Sequence, residues 1–168
     1  MSILFIYRKK GDFMYSAVDV ACAVVNYSQD IGYPISNLKL QKVLYFIDGF
    51  YMRMNNTPFF KDDIEAWPYG PVVVEVYNMF QNYGANFIPK TSSYFEFDNH
   101  KLYDKQYTEG IFQNEDYIFI TKVVEKLKKY SAFQLVDITH KQEPWKEAIQ
   151  KGNRTVISKD SIKKFFRK

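Results

Sequence analysis

The segment Ile64–Tyr77, IEAWPYGPVVVEVY, decides how this chain is read. Trp67, Pro68, Tyr69, Gly70 and Pro71 stand together ahead of an apolar run, and the fold depends on what that run becomes. Pro71 suits the first turn of a helix, where its missing N–H would have had no partner and its fixed φ is already helical. Gly70 permits a tight bend before it, and Gly84 sits where a glycine is expected just past a helix end. These signals predict a helix over Pro71–Tyr83. The β-branched valines keep a second reading open, a strand at Val72–Val76.

Working outward, Ser36 or Asn37 caps a helix in which Leu40, Val43, Leu44, Ile47, Phe50, Tyr51 and Met54 recur at three-four spacing on one side. Ser16-Ala17-Val18-Asp19 reads as an earlier helix start, with a serine oxygen for a free backbone N–H and an acid three positions on. Its Val18, Ala21, Cys22 and Val25 share a face, and the helix fades before Gly32. Tyr94, Phe95 and Phe97 before Asp98-Asn99, with Leu102 and Tyr103 after, predict a short hairpin within 92–104. Further helices are expected from Asn114, from Ser131 to Thr139, from Glu143-Pro144-Trp145 to Gly152, and from Ser158 or Asp160 to the end. The expected fold is mainly α, a compact single-domain helical bundle with a small β-hairpin excursion. Residues 1–13 read as an N-terminal extension to a domain spanning 14–168.

The chain has 168 residues, 46% hydrophobic and 18% aromatic, enough to bury one sizeable core. Its net charge of +4 is concentrated at the ends, in Arg8, Lys9 and Lys10 and in Lys163, Lys164, Arg167 and Lys168. A strong nucleic-acid binder carries a denser basic stripe. Cys22 is the single cysteine, which excludes an internal disulfide and fits a reducing cytoplasm. The opening SILFIY is too short, and its charges too late, for a secretory signal. No run approaches the roughly 20 apolar residues of a membrane span.

Enzyme motifs are missing. His100 and His140 are the only histidines, and no pair of ligands sits at metal-binding spacing. No glycine-rich phosphate loop is present, so no cofactor and no metal are expected. Cys22 lies on the apolar side of its helix and reads as an inert core thiol. Asp62, Asp63 and Glu65 with His140 are the residues from which an acid–base site of a small hydrolase or nuclease could be assembled. The apolar 71–83 segment argues against a DNA-reading helix.

Three clusters carry two readings each. Trp67, Tyr69, Gly70 and Pro71 form either an architectural turn sealing the core or a rigid aromatic knuckle shown to a partner, because Trp and Tyr serve as interface anchors. Lys39, Gln41 and Lys42 lie between core positions. The helical spacing puts Lys39 and Lys42 on a more exposed side, as a solvated face or as contacts to an acidic or phosphate-bearing surface. His140 and Trp145 read as a structural histidine beside a buried indole, or as one wall of a groove shared with Trp67.

Four segments in this order resemble the SocA-like Panacea domain family, which includes phage-associated GepA proteins. They are Tyr15–Ala23 (YSAVDVACA), Leu38–Gly49 (LKLQKVLYFIDG), Ile64–Val73 (IEAWPYGPVV) and Ile138–Trp145 (ITHKQEPW), with the terminal helix behind them. The resemblance covers roughly residues 15–166; the 92–104 insertion and residues 1–13 are outside its pattern. It implies an antitoxin of a toxin–antitoxin module, chromosomal or carried by a prophage, that neutralises a cognate protein toxin by direct contact and not as an enzyme. It also implies an alternative, an adaptor that delivers the toxin to an ATP-dependent protease. On either, the partner-binding candidates are Trp67, Tyr69, Gly70, Pro71, Lys39, Gln41, Lys42, His140 and Trp145.

Overall fold

The computed structural model describes residues 14–168; the proposed extension, 1–13, lies outside the described residues. Among the described residues seven α-helices and five short strands follow one another as α1 (Ala17–Asp30), α2 (Asn37–Asn55), β1 (Glu65–Trp67), β2 (Gly70–Val72), α3 (Val74–Phe80), β3 (Ser93–Asp98), β4 (Lys101–Gln106), α4 (Asn114–Leu127), α5 (Ala132–His140), α6 (Glu143–Lys151), β5 (Thr155–Val156) and α7 (Lys159–Arg167). The fold is mainly helical with two small antiparallel sheets, one ordered β2-β1-β5 and one formed by β3 and β4. Among the described residues no helix is long and apolar enough to cross a membrane.

Helix starts obey the capping chemistry read from the sequence. Ser16, Ser36, Ser131 and Ser158 each accept a backbone N–H of the first turn, and Ser131 with Gln134 closes a reciprocal capping box. Asp19, the acid three positions after Ser16, turns elsewhere: it accepts the Tyr94 hydroxyl at 2.6 Å and pairs with Lys105 at 3.4 Å, pinning the β3–β4 hairpin to α1. That hairpin turns at Asn99 and His100, both at positive φ, as a two-residue turn with right-handed strand twist requires.

The core gathers around α2, which touches α1, α3, α4, α5, α7 and β2. A one-sided apolar stripe was expected; instead Leu40–Gly49 is buried without a break, Gln41, Lys42 and Asp48 included. Polar side chains can be buried there because each is bonded. Asp48 accepts the Phe59 N–H at 2.8 Å and Lys159 Nζ at 2.6 Å, which ties α7 to α2. Burial pushes its carboxyl up, while Lys159 and the Phe59 and Phe60 N–H groups draw it back. One position later a Cβ on Gly49 would stand 2.4 Å from the Phe166 ring, so glycine is what allows α7 to close. Phe166 then meets Tyr45, Phe46 and Phe50 with ring centroids 5.3–5.9 Å apart.

Removing the Asp48 carboxylate leaves Lys159 and the Phe59 N–H without their acceptor. Asp48→Ala is expected to lose about 3–5 kcal/mol of unfolding free energy, measured by urea denaturation. A loss under about 1 kcal/mol would show that the pair does not hold α7 in place.

Candidate functional site

Trp67 to Val73 form a corner whose local structure differs from the expected helix. Glu65, Ala66 and Trp67 pair with Val72, Pro71 and Gly70, and Pro68-Tyr69 make the turn between the strands. Pro71 therefore lies in β2, and α3 begins only at Val74. The strand alternative is correct for Val72, whereas Val74 and Val76 are helical.

The cause is hydrogen bonding along the free edge of β2. Pro71, without an N–H, sits opposite Ala66, and its carbonyl points away from β1. Among the described residues no strand lies on that side; α2 supplies the partners instead. Lys42 Nζ donates to the Pro71 carbonyl at 2.9 Å, and the Val73 N–H donates to Gln41 Oε1 at 2.9 Å. Gln41 Nε2 in turn donates to Asn37 Oδ1, and Asn37 Nδ2 to the Tyr77 carbonyl at 3.0 Å, which carries the lattice into α3.

Gly70 is required twice over. Its φ is +101°, and a Cβ there would lie 2.7 Å from Lys42 Cε and 2.9 Å from Thr139 Oγ1. Beside it the imidazole of His140, the last residue of α5, stacks on Trp145 at 3.9 Å with 13° between planes. Trp145 Nε1 donates to the Trp67 carbonyl at 2.9 Å, so the two tryptophans do meet. Trp67 Nε1 donates to Glu65 Oε2 at 2.7 Å, and its ring packs against Tyr77 and under the Arg154 guanidinium.

Of the sequence candidates, Trp67, Tyr69, Gly70, Pro71, Gln41, Lys42, His140 and Trp145 converge here. Tyr69 is 62% exposed and Pro68 is exposed, whereas Gly70 and Pro71 are buried. The expected exposed side for Lys42 is corrected: Lys42 and Gln41 are fully buried, because β2 and α5 cover that face of α2. Lys39 stands apart, its Nζ donating to the Lys128 carbonyl at 2.9 Å. Two of the suggested acid–base residues are engaged by other groups. Asp62 accepts the Ala17 N–H at 2.7 Å, and Glu65 is engaged by the Trp67 indole. Among the described residues no three His, Cys, Asp or Glu side chains are grouped to hold a metal ion. Cys22 is buried, its thiol pushed up to about 12 by burial and by Asp19. Arg154 and strand β5 were not read from the sequence. Arg154 has a φ of +66° and its N–H donates to the Ala66 carbonyl, a non-local bond with no sequence mark.

The electrostatics of the corner centre on Lys42. Its ammonium has no carboxylate partner among the described residues, and burial alone brings it down to about 7. His140 is held below its ordinary value by burial and by Lys42, with the Pro68 carbonyl and Asp137 pulling the other way. Its Nε2 is buried and has no hydrogen-bond partner among the described residues.

Between about pH 7 and the ordinary lysine value of 10.5 the unfolded chain holds a proton that folded Lys42 has released. Stability attributable to this residue therefore climbs with pH, by up to about 1.4 kcal/mol per unit, and its full penalty is present below about pH 7. Lys42→Met removes that slope, while loss of the Pro71 bond adds an offset of about 1–3 kcal/mol independent of pH. Urea unfolding of both proteins between about pH 6 and 9 should show the variant gaining on the wild type as pH falls. Parallel pH profiles would contradict the assignment.

Residues 40–146 match the family described as Antitoxin SocA-like, Panacea domain. The chain is 38% identical over 69 residues to "Antitoxin SocA" of Caulobacter vibrioides (strain NA1000 / CB15N), a match covering 41% of this chain and 37% of that protein. The chain thus spans little more than a third of the length of that curated relative. No solved structure matches it. The matched region begins on α2 at Leu40 and ends on α6 at Lys146, so it contains the whole corner from Gln41 to Trp145. The chain belongs to the antitoxin SocA-like, Panacea domain family.

Proposed function

We propose that this protein is the antitoxin of a toxin–antitoxin module, acting in the cytoplasm through residues 14–168, and that it neutralises a cognate protein toxin by docking the Trp67–Pro71 corner against it. The observation that supports this reading is an exposed aromatic turn on a base whose backbone groups are already bonded. Pro68 and Tyr69 project outward, while Lys42, Gln41 and the Trp145 indole hold the backbone at Pro71, Val73 and Trp67. Little conformational freedom remains to be lost there on binding, and a rigid aromatic group gives affinity at low entropic cost.

Within this reading the nine candidates divide by role. Tyr69 and Trp67 touch the toxin, with His140 and Trp145 flanking them. Gly70, Pro71, Gln41 and Lys42 hold the turn in shape from below. Lys39, bonded to the Lys128 carbonyl, serves at most the margin of the contact. No bond needs to be made or broken, and no cofactor is needed.

A second reading, delivery of the toxin to an ATP-dependent protease, requires another surface. The outer side of the β3–β4 hairpin provides one, with Phe95 72% and Leu102 64% exposed. The two readings part in a strain that lacks the protease. Direct neutralisation still rescues growth there, whereas an adaptor does not.

The neighbouring gene product, co-expressed with this protein in that strain, is expected to be tolerated only when the two are made in comparable amounts. Tyr69→Ala should fold with stability within about 0.5 kcal/mol of wild type. It should nevertheless bind the toxin about 10- to 30-fold more weakly, the effect of losing a central aromatic anchor. Undiminished rescue and affinity in both Tyr69→Ala and Trp67→Ala would remove the corner from the interface.

A further inference from the structure

The charge at the corner is unbalanced in a way that specifies what it meets. Lys42 lies at the junction of α2, β2 and α5, and among the described residues its ammonium makes one hydrogen bond, to a neutral carbonyl. Lysine is almost never buried without an acidic partner, because the desolvated charge then lacks compensation. The carboxylates that could serve are committed elsewhere. Asp48 on α2 belongs to Lys159, Glu65 on β1 to the Trp67 indole, and Glu143 on α6 to Lys168. Glu75 on α3 is exposed, and Asp137 on α5 is exposed beside His140, which it favours in the protonated form.

The outer surface repeats the imbalance. Arg154 lies over the Trp67 ring at 4.5 Å. His140 Nε2 is a buried nitrogen without a partner among the described residues, on a ring that also feels the Pro68 carbonyl. An incoming carboxylate therefore meets Arg154 at the rim and feels Lys42 one layer deeper across a medium of low dielectric constant.

We propose that the corner is an acid-receiving surface: an acidic segment of the bound protein docks over Trp67, Tyr69 and His140 and supplies the counter-charge that Lys42 lacks. This rests on the corner being the docking surface. Lys42 then takes up a proton as the acidic group arrives, so that docking tightens as pH falls through neutrality. The proton comes from solvent and no covalent bond changes. Lys42 acts as a positioning residue and needs no direct contact with the partner.

The probe is an end-blocked hexaglutamate peptide, with hexalysine as control, added at constant ionic strength. Trp67 and Trp145 are the only tryptophans, so the two indole N–H signals in an NMR spectrum report the corner alone. Hexaglutamate should move both signals saturably, and the Lys42 Cε signal should titrate about one pH unit higher in its presence. That rise corresponds to about ten-fold tighter binding to the protonated form, so Lys42→Met should bind hexaglutamate about ten-fold more weakly at about pH 6. Stationary indole signals, equal shifts with hexalysine, or an unmoved Lys42 midpoint would each overturn the proposal. These readouts need no toxin: hexaglutamate binding together with failed rescue in co-expression would remove the antitoxin reading and leave the acid-receiving corner standing.

Discussion

The free edge of β2 has to be satisfied, and two side chains of α2 satisfy it. A three-residue strand with a neighbour on one side only would leave the Pro71 carbonyl and the Val73 N–H unpaired in the interior. Such groups are expensive to bury. Lys42 and Gln41 stand where a further strand would lie, adjacent on one helix, and each takes one of the two groups. From this follow the position of the turn, the late start of α3 and the need for glycine at position 70. The same helix reaches Phe59 through Asp48 and admits Phe166 at Gly49. Thus α2 organises the corner at one end and closes the chain's last helix at the other.

Holding a strand edge with an ammonium group has an electrostatic consequence. Glutamine can give a donor and an acceptor without charge, but Lys42 carries its charge, or loses it, without a carboxylate partner among the described residues. A hydrophobic residue of similar volume would relieve that penalty and abandon the Pro71 carbonyl. Retaining lysine at this point makes sense where the surface above it receives negative charge. If the proposed acidic partner docks there, stability and recognition are joined in one side chain.

Much of the helical framework was legible in the sequence, because capping and three-four periodicity are local. Ser16, Ser36, Ser131 and Ser158 mark helix starts, and Gly152 ends α6. The hairpin at 93–106 was legible for the same reason. The small β2-β1-β5 sheet was not. Its strands are two or three residues long, and β5 pairs with β1 from some ninety positions later. Pro71 misled because its fixed φ suits a helix start and a strand edge alike, and only the bond from Lys42, 29 positions earlier, selects the second. Lys42, expected with Lys39 on a more exposed side, is buried for a related reason. Binary patterning assigns polar residues to the outside, and nothing adjacent in sequence reveals a backbone edge waiting for them. The meeting of Trp67 and Trp145, 78 positions apart, shows the same limit.

Native-state amide hydrogen exchange across Trp67–Val73 tests most directly whether α2 holds the corner rigid. The Val73 N–H, bonded to Gln41 Oε1, should exchange only through global unfolding, with a protection free energy that falls with denaturant as steeply as that of the α2 core. Exchange of Val73 through a low-energy local opening, insensitive to denaturant, would mean that the turn is loose and that the two α2 side chains do not secure it.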